Sequence, residues 1–417
     1  SGGSVAPARG RSGGLARLLA LISPGLLVAA TGVGAGDLAT AAFTASKLGV
    51  AVLWAVLLGA SLKYLVNEGL ARWQLATGET LLEGALRRLG RPAQYAFGLY
   101  FLLWSFFVGS ALMSACGVAV HAIVPVFPEA ATGKIVFGIA SSLLGVLLVL
   151  AGGFALFEKV MGLCIGVMFA TVLLTAGLLC DDWGAVARGM VVPRIPDAGG
   201  EGLGRTVALM GGVGGTLTML CYGYWIREKG RSGAGDLTAC RIDLAAGYLM
   251  TALFGVAMVV IGSTIEVEGR GAGLVVSLAD RLAEPLGAVG RWTFLIGAFG
   301  AVFSSLLGVW QAVPYIFADY WRFVRRDPRA GDGSSLPPVD TRGRPYRADL
   351  LALSVVPMLG LFFSVREVQK IDAVFGALFV PLLAATLLLL NGRATWVGPE
   401  MRNRPLTTVV LSATVLL

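Results

Sequence analysis

Hydrophobic positions in this chain fall in long unbroken blocks, and the polar positions collect between them. About eleven apolar runs are legible, at 23–46, 50–76, 93–124, 134–151, 155–180, 205–228, 237–262, 290–318, 348–364, 370–391 and 405–417. A run near 20 residues matches the hydrocarbon thickness of a bilayer when it is helical. Each block is therefore expected to be a membrane-crossing helix, with the last one short. Segment 270–288 differs: its apolar positions recur at helical spacing with charges on one side, which predicts a surface helix outside the membrane.

Two of the blocks are interrupted at their centres. The first carries Thr31-Gly-Val-Gly-Ala-Gly-Asp37, and the sixth carries Gly211-Gly-Val-Gly-Gly-Thr216. Each glycine weakens a helix by about 0.8–1 kcal/mol relative to alanine. A carboxylate near the bilayer centre costs a further ~2.5–3.5 kcal/mol on insertion scales. Glycine also serves close helix packing. Clusters in corresponding places of two halves point instead to inverted repeats with broken helices and a site where the breaks meet. Non-helical backbone at that depth is tolerated only where it lines a cavity or is buried in protein. Breaks are expected at Gly32–Gly36 and Gly214–Thr218.

The 417 residues are 56% hydrophobic and 14% charged, which excludes an ordinary soluble protein. An all-α polytopic membrane protein is expected: residues 19–417 as one transmembrane domain after a disordered cytoplasmic segment, 1–18. The net charge of +8 resides in arginine-rich loops and is no nucleic-acid signal. Arg9, Arg11 and Arg17, then Arg87, Arg88 and Arg91, then the 322–347 loop, all fall on one side if the blocks alternate. That side is cytoplasmic by the positive-inside rule. A multi-pass protein of the cell inner membrane with its N-terminus inside is expected. The Pro-, Gly- and Ser-rich stretch 327–347 is expected to be a flexible connection.

Five cysteines at 116, 164, 180, 221 and 240 show no paired spacing, and His121 is the single histidine. Neither a disulfide framework nor a histidine-based metal cluster follows. The Gly32-x-Gly34-x-Gly36 spacing lacks the preceding strand and βαβ unit of a dinucleotide loop. No nucleophile–base pair or cofactor motif is present, so no enzyme and no cofactor are expected.

Candidate chemistry concentrates at the first break. Asp37 follows it, where free carbonyls of Gly32 to Ala35 would add oxygens. Carbonyls, one carboxylate and retained water suit a hard cation such as Mg²⁺ or Mn²⁺. Asp37 can equally cap the outer half-helix by accepting backbone N–H groups. Lys63, Glu68 and Arg72 in the second run read as helix-end or structural pairs, and Tyr222, Tyr224 and Trp225 as bundle packing.

The sequence resembles the Nramp family of divalent-metal transporters at runs one, two and six, and in span pattern along nearly its whole length. Ser23-Pro-Gly25 stands where that family has Gly-Pro-Gly, and Leu38-Ala-Thr40 where it has Phe-Ala-Thr. Between them, Gly34-Ala-Gly36-Asp37 replaces Asp-Pro-Gly-Asn, so a carboxylate is kept but moved. Leu70-Ala-Arg-Trp-Gln-Leu-Ala-Thr-Gly78 looks like the family's second-helix end, and Thr218-Met219-Leu220-Cys221 stands at Met-Pro-His-Asn. Trp104, Ala111 and Ser114 replace the acidic residues of the third helix, and Gln369 and Asp372 lie near a metal-contacting glutamine. The resemblance implies a divergent Nramp-related branch with the LeuT-like (APC) inverted-repeat fold, five helices plus five and an eleventh. It implies a monomeric secondary transporter of divalent cations. Implied metal positions are Asp37, Gly34, Ala35 and Thr218, with Thr31, Gly36, Gly215, Met219, Cys221 and Gln369 as further substrate-site residues. The replaced ligands leave a small organic solute, an amino acid or amine, as the alternative cargo. The absence of Asp and Glu from run three predicts weak or no proton co-transport.

Overall fold

The protein is described by a computed structural model, which covers residues 14–33, 35–212, 214–264, 272–325 and 339–416. The first run is two helices, α1 (Gly14–Gly32) and α2 (Ala35–Leu48), followed by a 3-10 turn and α3 (Leu53–Thr77). Gly78 ends α3 in the left-handed region at φ 72°, where a side chain would be strained. Thr80 then caps α4 (Leu81–Ile123), its hydroxyl accepting from the Glu83 N–H at 3.1 Å.

Runs four and five share one 50-residue element, α5 (Ala130–Leu179), parted at Gly153, whose φ is 56°. The short α6 (Trp183–Val191) precedes the sixth run, which is again two pieces: α7 (Gly202–Gly212), and a 3-10 turn at Leu217–Leu220 leading into α8 (Cys221–Glu228). Then come α9 (Leu237–Ser263), α10 (Ala272–Arg325), α11 (Arg344–Val355), α12 (Val365–Asn391), the single turn α13 (Ala394–Val397) and α14 (Pro405–Leu416). The expected surface helix forms the start of α10, which bends at Gly287 (φ 62°) before its spanning part.

Among the described residues, eight elements are long and apolar enough to cross a membrane, and Ile22–Gly32 and Pro405–Leu416 are shorter apolar helices. Because Ala130–Leu179 holds two of the predicted runs, these account for all eleven. The expected inverted-repeat architecture is present, and both breaks fall where the glycine clusters predicted. The core is the bundle interior, where α10 packs on α4 and α5 while α1, α2 and α3 pack on α9. Trp73, Trp104, Trp225 and Trp310 are fully buried there. Leu99, Leu147, Leu163 and Leu382 are exposed on helix faces, as a lipid-facing surface requires. Residues 1–13 and most of the predicted flexible stretch 327–347 lie outside the described residues.

Candidate functional site

The two breaks meet backbone to backbone. A Cβ on Gly32, the last residue of α1, would lie 2.7 Å from the Gly214 carbonyl carbon and 2.8 Å from the Gly215 nitrogen. Gly214 and Gly215 both have positive φ, 87° and 80°, so α7 cannot continue through them. Around this junction lies a cavity of about 560 Å³. Thr31, Thr216, Thr218 and Ser305 line its wall near the breaks, while Gln369 and Asp372 from the first turns of α12 line another side. It extends along the first half of α7, past Gly204 and Val207.

Breaking a helix frees carbonyls that must find partners. At α7 they find Lys63, which reaches across from α3 and donates from Nζ to the Gly211 carbonyl at 2.8 Å and the Gly215 carbonyl at 2.7 Å. The lysine is 2% exposed and lines the cavity. These are short, charge-assisted bonds at the negative end of a helix dipole. The partners of Lys63 lie across the bundle at the end of α7, a helix-end role that spacing along α3 does not reveal. Its neighbours keep structural roles: Glu68 accepts from Arg72 at 2.7 Å and from Arg241 at 2.8 Å.

At α1 the free carbonyls are met by serines of α10. Ser305 Oγ lies 3.2 Å from the Ala30 carbonyl and 2.9 Å from that of Val33, and Ser304 Oγ lies 3.3 Å from Ala30 and 2.9 Å from Ala301. Neither serine stood out in the sequence, since small polar residues in a spanning helix usually serve packing. Lys63 did carry a signal: a lysine within an apolar block is a functional candidate by default.

Of the other predicted residues, Thr31, Thr218, Gly215 and Gln369 line the cavity. The Thr31 hydroxyl is buried and has no hydrogen-bond partner among the described residues, and the same holds for the Trp104 indole N–H. Trp104 lines the cavity, whereas Ala111 and Ser114 are buried elsewhere in α4. Met219 and Cys221 are fully buried but are not part of the cavity wall. The 3-10 turn presents Thr218 to the cavity in their stead. Gly34 lies outside the described residues; Ala35, Gly36 and Asp37 form the first turn of α2, with their side chains outside the description. Among the described residues, no three of His, Cys, Asp and Glu come together as a metal cluster.

Polar contacts outside the cavity wall tie α1 to its neighbours. Asp243 of α9 accepts from the Gly25 backbone N–H at 2.6 Å, from the Tyr222 hydroxyl at 2.9 Å and from Arg231 at 2.7 Å. Glu158 of α5 pairs with Lys229 at 2.6 Å and accepts from the Ser23 hydroxyl. Together they tie α1 to α5, α8 and α9. Tyr222, expected to pack the bundle, is fully buried in it and also donates to Asp243.

Comparison with known proteins agrees with this architecture. A variant of the manganese transporter of Eremococcus coleocola superposes with a TM-score of 0.72 at 17% identity, covering 99% of this chain and 87% of that one. MhsT in complex with L-phenylalanine superposes with a TM-score of 0.59 at 15% identity, covering 95% of each chain. In sequence, the divalent metal cation transporter MntH of Verminephrobacter eiseniae is 28% identical over 191 residues, 45% of this chain. That match spans 42% of the relative, less than half its length. The model of the family described as natural resistance-associated macrophage protein-like matches residues 25–417, and the chain belongs to this Nramp family.

Proposed function

We propose that the chain is a secondary transporter moving a hard divalent cation, of the Mg²⁺ or Mn²⁺ kind, through this cavity by alternating access. The observation that carries the reading is the choice of donors. The cavity wall offers hydroxyl, amide and carboxylate oxygens from Thr31, Thr218, Gln369 and Asp372, with Met210 the sulfur-bearing residue on it, while the sulfurs of Met219 and Cys221 are buried away from it. Oxygen donors select hard cations. A cavity of about 560 Å³ leaves room for the waters such an ion keeps. The MntH relative is named for divalent metal cations, which supports the same cargo. In this reading Asp37 supplies the main carboxylate, with the backbone at Gly34 and Ala35 beside it. The protein works as a monomer in the inner membrane, N-terminus inside.

Replacing Asp37 tests the reading. Asp37→Ala should weaken Mn²⁺ binding by about 1.5–3 kcal/mol, roughly ten- to a hundredfold, in calorimetry of the purified protein. Asp37→Asn should be intermediate, since the oxygen stays and the charge goes. Parent-like binding and uptake by Asp37→Ala would overturn the metal assignment.

Lys63 favours a second reading. An ammonium group in a largely apolar cavity of this size suits a small organic solute with an anionic group. Competition of amino acids or carboxylates with Mn²⁺ uptake in proteoliposomes separates the two cargoes.

A further inference from the structure

We propose that Lys63 is a tethered competitor of the cargo: its ammonium occupies the Gly211 and Gly215 carbonyls, and an arriving cation must take them from it. The proposal rests on the divalent-cation reading and names the residue that sets affinity within it.

The two carbonyls come from opposite sides of the α7 break, yet converge on one point, 2.8 and 2.7 Å from the Lys63 Nζ. Gly211 lies in the last turn of α7, where a carbonyl has no helical donor and the dipole is negative. Gly215, at φ 80°, turns its own carbonyl toward the same point. A Cβ on Gly215 would lie 2.9 Å from the Thr218 hydroxyl oxygen, so a further oxygen stands beside the pair. All four residues line the cavity. Oxygens gathered round a positive charge in a cavity are what a hard cation requires. Here that charge is the protein's own.

The lysine can leave. Its stem is a flexible hydrocarbon chain, and Gly214 leaves room beside it, since even a Cβ there would meet the lysine Cδ only at 3.7 Å. A divalent ion draws its oxygens to about 2.0–2.6 Å, closer than the ammonium holds them, so the carbonyls cannot serve both. Cargo therefore binds these oxygens only in the fraction of molecules whose ammonium has moved away, and its apparent affinity falls by that fraction. A carrier built this way suits a divalent cation that is plentiful where it is collected. The returning ammonium also helps to expel the ion, so loss of Lys63 should tighten binding and slow turnover together.

The first test uses the purified full-length parent and follows acetylation of Lys63 by mass spectrometry, with the exposed Lys159 as reference. Saturating Mn²⁺ or Mg²⁺ should raise labelling of Lys63 and leave Lys159 unchanged. Calorimetry then compares the parent with Lys63→Met. The variant should bind Mn²⁺ about tenfold tighter or more, yet take it up more slowly at saturation, a split that mere loss of structure would not give. Propylammonium should raise the melting temperature of Lys63→Ala and compete there with Mn²⁺, while doing neither to the parent. Lys63 labelling that falls or stays level with cation overturns the proposal, and decides the matter if neither variant folds. A folded Lys63→Met with parent-like or weaker binding overturns it as well, as does a folded Lys63→Ala indifferent to propylammonium. Absence of divalent binding in both parent and Lys63→Met would strike the divalent-cation reading itself; parent binding without gain in the variant strikes this proposal alone.

Discussion

The breaks in α1 and α7 pose the same physical problem and receive opposite answers. Each leaves carbonyls without helical partners inside a bundle where water is scarce. The α7 break is met by a single ammonium on a long flexible stem, charged and covalently held. The α1 break is met by two neutral hydroxyls on a neighbouring helix, which can rotate and yield. Symmetric backbone geometry therefore does not imply symmetric chemistry. One half meets its free carbonyls with a charge, the other with neutral hydroxyls.

The largest effect should come from the charged side of that contrast. Lys63→Met keeps most of the volume but leaves the Gly211 and Gly215 carbonyls without their donor. Hydrogen bonds to charged groups contribute about 1.5–3 kcal/mol each. A loss of roughly 3–5 kcal/mol in denaturation free energy is expected, with uptake falling more than about tenfold. A Lys63→Met protein as stable as the parent would mean that water serves these carbonyls equally well.

A smaller effect should mark the contact between the breaks. Gly32→Ala places a methyl against the backbone of Gly214 and Gly215, where nothing flexible can give way, and should cost about 1–3 kcal/mol. Gly211→Ala, on the same junction, meets nothing within 4 Å and should be near neutral by the same melting assay. Equal costs at the two positions would remove the claim that the breaks touch through bare backbone.

The least effect is expected from the sulfurs. Met219→Leu and Cys221→Ser should leave the ratio of Cd²⁺ to Mn²⁺ uptake unchanged within about twofold, since neither side chain lines the cavity. A selective loss of Cd²⁺ uptake would bring the sulfurs back into the site.

The architecture was legible in the sequence because glycine in a spanning helix is costly, and clusters at 31–37 and 211–216 stand in corresponding places of two halves, which close packing alone does not require. The partners of Lys63 were not legible because spacing along one helix reports only neighbours on that helix. What turns it into a site residue is the approach of α7, which no local pattern encodes. Ser304 and Ser305 were silent for a related reason. A serine pair acquires meaning only opposite an interrupted helix end, 274 residues away along the chain in the case of Ser304 and Ala30. The shift from Met-Pro-His-Asn to Thr218-Met219-Leu220-Cys221 was visible, but which of the four faces the cavity depended on the 3-10 turn.

Asp243 has a consequence for timing. Its carboxylate gathers three donors, from the backbone of Gly25, the hydroxyl of Tyr222 and the guanidinium of Arg231. Any movement of α9 away from α1 or α8 draws on this same carboxylate, because the donors share one acceptor residue. Where such a movement limits a transport cycle, every 1.4 kcal/mol of weakening at Asp243 that falls on the barrier shortens the waiting time about tenfold. The tempo of such a transport cycle would be set far from the cargo, at one buried carboxylate.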